Sequence, residues 1–85
     1  MKSPKKILVT IRYANHDVDF EMPTDVKISE IKSQIINVTN AYFNDLSIDE
    51  KLTDGVNLYY KDKNLDSDKI LVNYGIWDGA IIEVR

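Results

Sequence analysis

The chain contains no cysteine in its 85 residues, so the fold needs no disulfide, which suits a reducing cytosol. It contains one histidine, His16, with no cysteine beside it to activate, and Asp17 in the same turn is not an oriented triad partner. Its three glycines, Gly55, Gly75 and Gly79, are scattered and build no phosphate-binding loop. Apolar runs are short, as in Ile7-Leu8-Val9 and Ala80-Ile81-Ile82, so no segment is long enough to cross a bilayer. No apolar signal-peptide region follows the basic N-terminus either. A basic stripe is also missing. The net charge is -3, and the one basic cluster, Lys2, Lys5 and Lys6, falls at the N-terminus, which argues against nucleic acid as a partner. No paired carboxylates suggest a catalytic cleft. A chain this short buries about 60–65% of its unfolded surface and has no room for both a deep cavity and a supporting scaffold. We therefore expect one small non-enzymatic domain over 6–85, preceded by a disordered N-terminus over 1–5.

What is present is periodicity. Ile7, Val9 and Ile11 alternate with Leu8, Thr10 and Arg12, and Val18, Phe20 and Met22 alternate with Asp19 and Glu21. Two period-2 runs around the polar turn Ala14-Asn15-His16-Asp17 predict an antiparallel hairpin with one apolar face. Pro23, which has no N–H to donate, ends the second strand. The spacing then changes to three and four. Ile28, Ile31, Ile35 and Val38, with Tyr42 extending the series, predict the buried stripe of a helix of three to four turns, capped by Ser29 or Asp25. Ser47-Ile48-Asp49-Glu50 fits a capping box, which predicts a short helical turn through Leu52, ended by Asp54-Gly55. Val56, Leu58 and Tyr60 alternate with Asn57, Tyr59 and Lys61 to mark a third strand, and Lys61 to Asn64 is a turn. Leu65 opens a very short fourth strand. Asp78-Gly79 is a tight turn before a last strand with Ile82 and Val84 inward. This order predicts an α+β fold: a mixed four- to five-stranded sheet with one main helix across one face. With first and last strands adjacent and parallel, that is a β-grasp.

The chain resembles ubiquitin over nearly its whole length. Met22-Pro23-Thr24-Asp25 is similar to the turn before ubiquitin's helix, and Ile28, Ile31 and Ile35 match that helix's buried stripe. Leu58 to Leu65 looks like its third strand, turn and fourth strand. In Leu71-x-x-Tyr74-x-Ile76, Tyr74 falls at the tyrosine whose hydroxyl bonds the backbone. Among ubiquitin-like proteins it resembles the bacterial YukD/EsaB family of type VII (ESX/WXG100) secretion, in its length, its long segment from Asn40 to Gly55 and its closing turn Leu71, Tyr74, Ile76, Asp78, Gly79. The resemblance implies a cytoplasmic accessory or regulator that binds protein, with secretion-machine components as partners. The sequence stops at Arg85 without a Gly-Gly, so we expect a non-conjugating member. An interaction module of another assembly and a carrier-type protein are the rival readings; a neighbouring WXG100 or FtsK-type gene would favour secretion.

Other motifs lead nowhere. Asp62-x-Asn64-x-Asp66 starts like an EF-hand loop, but Ser67 and Asn73 stand where glycine and glutamate are needed. Asn37-Val38-Thr39 is a sequon on a predicted helix. No metal, cofactor or catalytic residue is expected. What remains is surface. The outward face of the sheet should carry Leu8, Thr10 and Arg12, Tyr59 and Lys61, and Glu83 and Arg85. By the resemblance, Tyr59 takes the place of the isoleucine at the centre of ubiquitin's recognition patch, and tyrosine and arginine are favoured anchors. Trp77, in the closing turn, is a second protein-binding candidate, though we expect it to pack over the rim of the core. Homodimerisation through a strand edge stays open.

Overall fold

A computed structural model of the chain describes residues 6–85; the expected disordered N-terminus, 1–5, lies outside the described residues. Strands β1 (Lys6–Tyr13) and β2 (His16–Pro23) form the hairpin, and helix α1 (Ile28–Asp45) follows. Then come β3 (Leu58–Tyr60), β4 (Lys63–Asn64), a 3-10 turn (Leu71–Tyr74) and β5 (Ile81–Val84). The five strands lie in the order β2-β1-β5-β3-β4, with β1 and β5 parallel at the centre and the remaining pairs antiparallel. This is the expected β-grasp. The hairpin turn is shorter than the polar run suggested. Ala14 and Asn15 alone make it, both at positive φ, as a type I′ turn requires, so His16 and Asp17 belong to β2. His16 is not a solvated turn residue; its ring lies edge-on to Phe43 with centroids 5.1 Å apart.

One face of the sheet and one face of the helix make the core. Ile7, Val9 and Ile11 of β1, Val18 and Met22 of β2, Leu58 of β3, and Ile82 and Val84 of β5 are buried against Ile28, Ile31 and Ile35. The helical stripe then departs from the sequence expectation. It continues through Thr39 and Phe43, while Val38 and Tyr42 are each 41% exposed. Steps of four keep these residues over the sheet and bring Phe43 to Tyr13 and His16 at the hairpin end. Neither Ser29 nor Asp25 is the N-cap. Lys27 holds that position without a side-chain cap bond. The first helical N–H groups are met by main chain instead: Ile28 donates to the Lys69 carbonyl (2.8 Å) and Ser29 to that of Ser67 (3.1 Å).

The expected turn of helix at Ser47 is not formed, because Ser47 ends α1 and starts nothing. It sits at φ 57, Ile48 N–H donates to the Phe43 carbonyl and Ser47 N–H to that of Asn44, which is a Schellman motif. Beyond it, 48–53 runs without regular structure. Asn40 pins that segment, donating to the Leu52 carbonyl (3.0 Å) and accepting from the Leu52 N–H (2.8 Å). Leu52 and Val56 are thereby buried. The fourth strand comes one step earlier than expected, at Lys63–Asn64, and Leu65 is a buried core residue that follows it. Tyr74 does what its position implied: its hydroxyl accepts from the Asp66 N–H at 2.8 Å.

Candidate protein-binding face of the sheet

Strand pairing sets the outer face. Directly opposed residues share a side of the sheet. Arg12 pairs with Asp17 on one side and Glu83 on the other; Glu83 pairs with Tyr59, and Tyr59 with Asn64. These five residues cross the whole sheet in one row, facing away from the helix. A second row holds Asp19, Thr10 and Ile81, and a third opposes Glu21 to Leu8. Of the predicted face, Leu8, Thr10, Arg12, Tyr59 and Glu83 therefore lie together, and Arg85 joins them through its side chain.

The charges on this face are used on one another. The Arg12 guanidinium grips Asp17 through two bonds, of 2.9 and 3.2 Å. That bond holds the Asp17 carboxyl below its ordinary value and raises Arg12. Arg85 donates to Asp62 (2.9 Å) and Glu83 (2.7 Å), and these bonds raise its own pKa, Asp62 contributing most. The same guanidinium lies 4.4 Å from the centre of the Tyr59 ring, a cation–π stack. Both partners are thus oriented in advance. The Arg85 main chain is fixed as well, exchanging two hydrogen bonds with Asn57 (2.8 and 2.9 Å).

Lys61 is a correction. It is not part of β3. With Asp62 it forms the turn into β4, at φ 51 and 66, and its ammonium lies over the Tyr60 ring. The pairing of β3 with β5 ends at Tyr59, and an open cleft of about 440 Å³ lies beyond it, lined by residues including Arg12, Tyr60, Lys61, Asp62, Ile81 and Glu83. Trp77 is a second correction. It does not pack over the rim of the core but stands 60% exposed. The following turn is tied to β1, since Asp78 Oδ1 accepts from the Leu8 N–H (2.7 Å) and Gly79 N–H donates to the Leu8 carbonyl (2.8 Å). Exposed Leu8 and Ile81 therefore share one end of the face, and the turn carrying Trp77 adjoins it.

Sequence reasoning missed Ile81, Asp62 and Asp17 as parts of this face. Period 2 signalled Ile81 and Asp17; nothing local signalled Asp62, whose partner Arg85 is distant in sequence. The EF-hand-like carboxylates have other work: Asp62 binds Arg85, and Asp66 Oδ1 accepts from the Asp68 N–H. Among the described residues, no three His, Cys, Asp or Glu side chains converge on a metal position. The sequon's Thr39 is fully buried.

Residues 7–84 match the family described as "WXG100 protein secretion system (Wss), protein YukD". The chain belongs to the YukD family. Its fold is that of solved ubiquitin-like domains. The EccD5 ubiquitin-like domain from Mycobacterium xenopi superposes with a TM-score of 0.85 at 18% identity, covering 96% of this chain and 94% of that one. The ubiquitin-like domain of the Mycobacterium tuberculosis type VII secretion protein ECCD1 gives 0.76 at 19%, covering 93% and 96%. A chain of the MycP5-free ESX-5 inner membrane complex gives 0.85 at 16% identity; 96% of the present chain is covered, but it spans only 21% of that longer one. At these identities the likeness concerns the fold. A search of curated protein sequences gave no match. Among the described residues of this YukD-family chain, no helix is long and apolar enough to cross a membrane.

Proposed function

We propose that this YukD-family protein is a single ubiquitin-like domain that serves a WXG100 secretion system as a cytosolic accessory or regulator. It acts by binding protein and not by catalysis. The docking surface is the outer sheet face, with Tyr59 at its centre, Arg12, Thr10 and Glu83 beside it, Lys61 at its border, and Leu8 and Trp77 at its apolar end. The observation that carries this reading is the stack of Arg85 on Tyr59, held by Glu83 and Asp62. An aromatic ring and a guanidinium fixed before binding lose little rotamer freedom when a partner covers them. The half-open cleft along β5 next to them gives a partner side chain a place to enter.

The test is affinity purification of the tagged protein from its native cell, read by mass spectrometry, beside Tyr59→Ala and Arg12→Ala. We expect components of the secretion machine to co-purify with the native chain and to be depleted with Tyr59→Ala. Undiminished capture by both variants would remove this face from the account. Capture of an unrelated assembly would remove secretion.

A further inference from the structure

The outer edge of β2 is a second surface, and it borders the face around Tyr59 through Asp17. Thr10 N–H donates to the Ala80 carbonyl, and the Leu8 carbonyl accepts from Gly79. The even-numbered residues of β1 therefore turn their main-chain groups to β5, and the odd-numbered ones turn theirs to β2. With the observed register, Val18, Phe20 and Met22 answer β1, while the N–H and C=O groups of Asp17, Asp19 and Glu21 point out over the open edge. Among the described residues β2 is an end strand of the sheet, eight residues long, against two for β4 at the other end.

What flanks this edge differs on its two sides. On the outer side stand three exposed carboxylates at alternate positions: Asp17, which also holds Arg12, Asp19, which also accepts from the Thr10 hydroxyl (2.6 Å), and Glu21. On the inner side lies the helix, which is in contact with β2. Val38 and Tyr42 occupy the helix flank about 200° around the axis from Asn40. Asn40 holds the 46–57 segment, so the Val38–Tyr42 flank is the one that segment leaves open, and both residues are exposed. Phe20 alternates with buried Val18 and Met22 on the inner face of β2 and is half-buried against the core. From Ser33 to Asn44 the helix carries no charge at all.

We propose that the β2 edge takes an extended segment of a partner as a sixth strand, antiparallel or parallel. That segment carries Lys or Arg at alternate positions over Asp17, Asp19 and Glu21, and apolar residues at the intervening positions against Phe20, Val38 and Tyr42. Main-chain bonds to the open ladder supply affinity, and the alternation supplies selection. A second copy of this chain is the occupant the charges disfavour. Pairing β2 with β2 would set acidic rows of two copies on one face, where like charges repel.

The probe is a capped heptapeptide alternating Lys with Val and Ile, compared with the same peptide carrying Glu for Lys, each titrated into the ¹⁵N-labelled chain at low salt. We expect the Lys peptide to slow amide exchange at Asp17, Asp19 and Glu21 and to shift Val38 and Tyr42. The Glu peptide should bind at least about tenfold more weakly. The Asp19→Lys/Glu21→Lys double variant should reverse that preference, with its spectrum otherwise native. Shifts confined to the face around Tyr59, equal binding of both peptides, binding of neither, or a native chain already dimeric through β2 would each overturn the proposal.

Discussion

Replacing Thr39 with valine should make this protein more stable. Thr39 lies in the middle of α1, fully buried between Ile35 and Phe43, and its hydroxyl is without a hydrogen-bond partner among the described residues. A buried hydroxyl that finds no partner costs about 1–3 kcal/mol, because water satisfied it in the unfolded chain. Valine keeps the β-branched shape and almost the same volume, so no cavity opens. Threonine and valine have similar helix propensities, so the backbone contribution nearly cancels. We expect Thr39→Val to raise unfolding stability by about 1–2 kcal/mol, which for a domain of this size is a Tm increase of roughly 5–10 °C. Thr39→Ser is the control. It keeps the hydroxyl and removes the methyl, and should destabilise by about 1 kcal/mol. Urea unfolding followed by circular dichroism reads both, with unchanged m-values showing that the unfolded state is not the cause. A neutral or destabilised valine variant would refute the reasoning, because it would mean that the hydroxyl is satisfied in solution.

Two further outcomes follow from single contacts. Asn40→Ala removes both bonds that hold Leu52 to the helix and leaves a part-buried N–H and C=O without partners, so stability should fall by about 2 kcal/mol, with hydrogen exchange accelerating first across 46–57. The Asp17 carboxyl is depressed chiefly by the hydrogen bond from Arg12, so its contribution is complete above the ordinary aspartate value of about 3.9 and is lost as pH falls through its lower folded value. Carboxyl-detected NMR titration should place Asp17 below that value in the native chain and return it there in Arg12→Ala; an unmoved midpoint would show that the ion pair is not formed in solution.

The two hairpin strands, the first turns of the helical stripe, the buried loop and the last strand were legible because each depends on a local pattern; the hairpin turn and the helix cap, set by backbone geometry and by the carbonyls of Ser67 and Lys69, were not. The register of the helix beyond Ile35 was not. Val38 and Thr39 compete for the next inward place, and hydropathy favours valine, while the demand that Phe43 reach Tyr13 and His16 favours threonine. That demand comes from the hairpin and cannot be seen in the helix sequence. Ser47-x-x-Glu50 failed for a related reason: Ser47 takes the left-handed position of a Schellman motif, which glycine or asparagine usually fills, so its side chain signals a helix start while its backbone makes a helix end. The site was partly legible. Period 2 assigned Leu8, Thr10, Arg12, Tyr59 and Glu83 to the outer face, but the positive-φ turn at Lys61-Asp62 took Lys61 out of the strand. The exposure of Trp77 depends on how the turn at Asp78 and Gly79 is tied to β1, a long-range bond that composition does not report.

The arrangement of charge on the outer face bears on how a partner would be held there. Arg12 is taken by Asp17, and Arg85 by Asp62 and Glu83, so a partner meets balanced pairs and not free charges. Breaking them would return little, since exposed pairs are already well solvated and screened. The Arg85 pairs hold the guanidinium on the Tyr59 ring, and both sets shape the potential that guides approach. Burial on this side must then come chiefly from the other end, where Leu8, Ile81 and Trp77 stand exposed without charge. A partner fitted to this face therefore combines an apolar contact over the start of β5 with a polar contact beside Tyr59, and the two halves of the face should divide affinity and orientation between them.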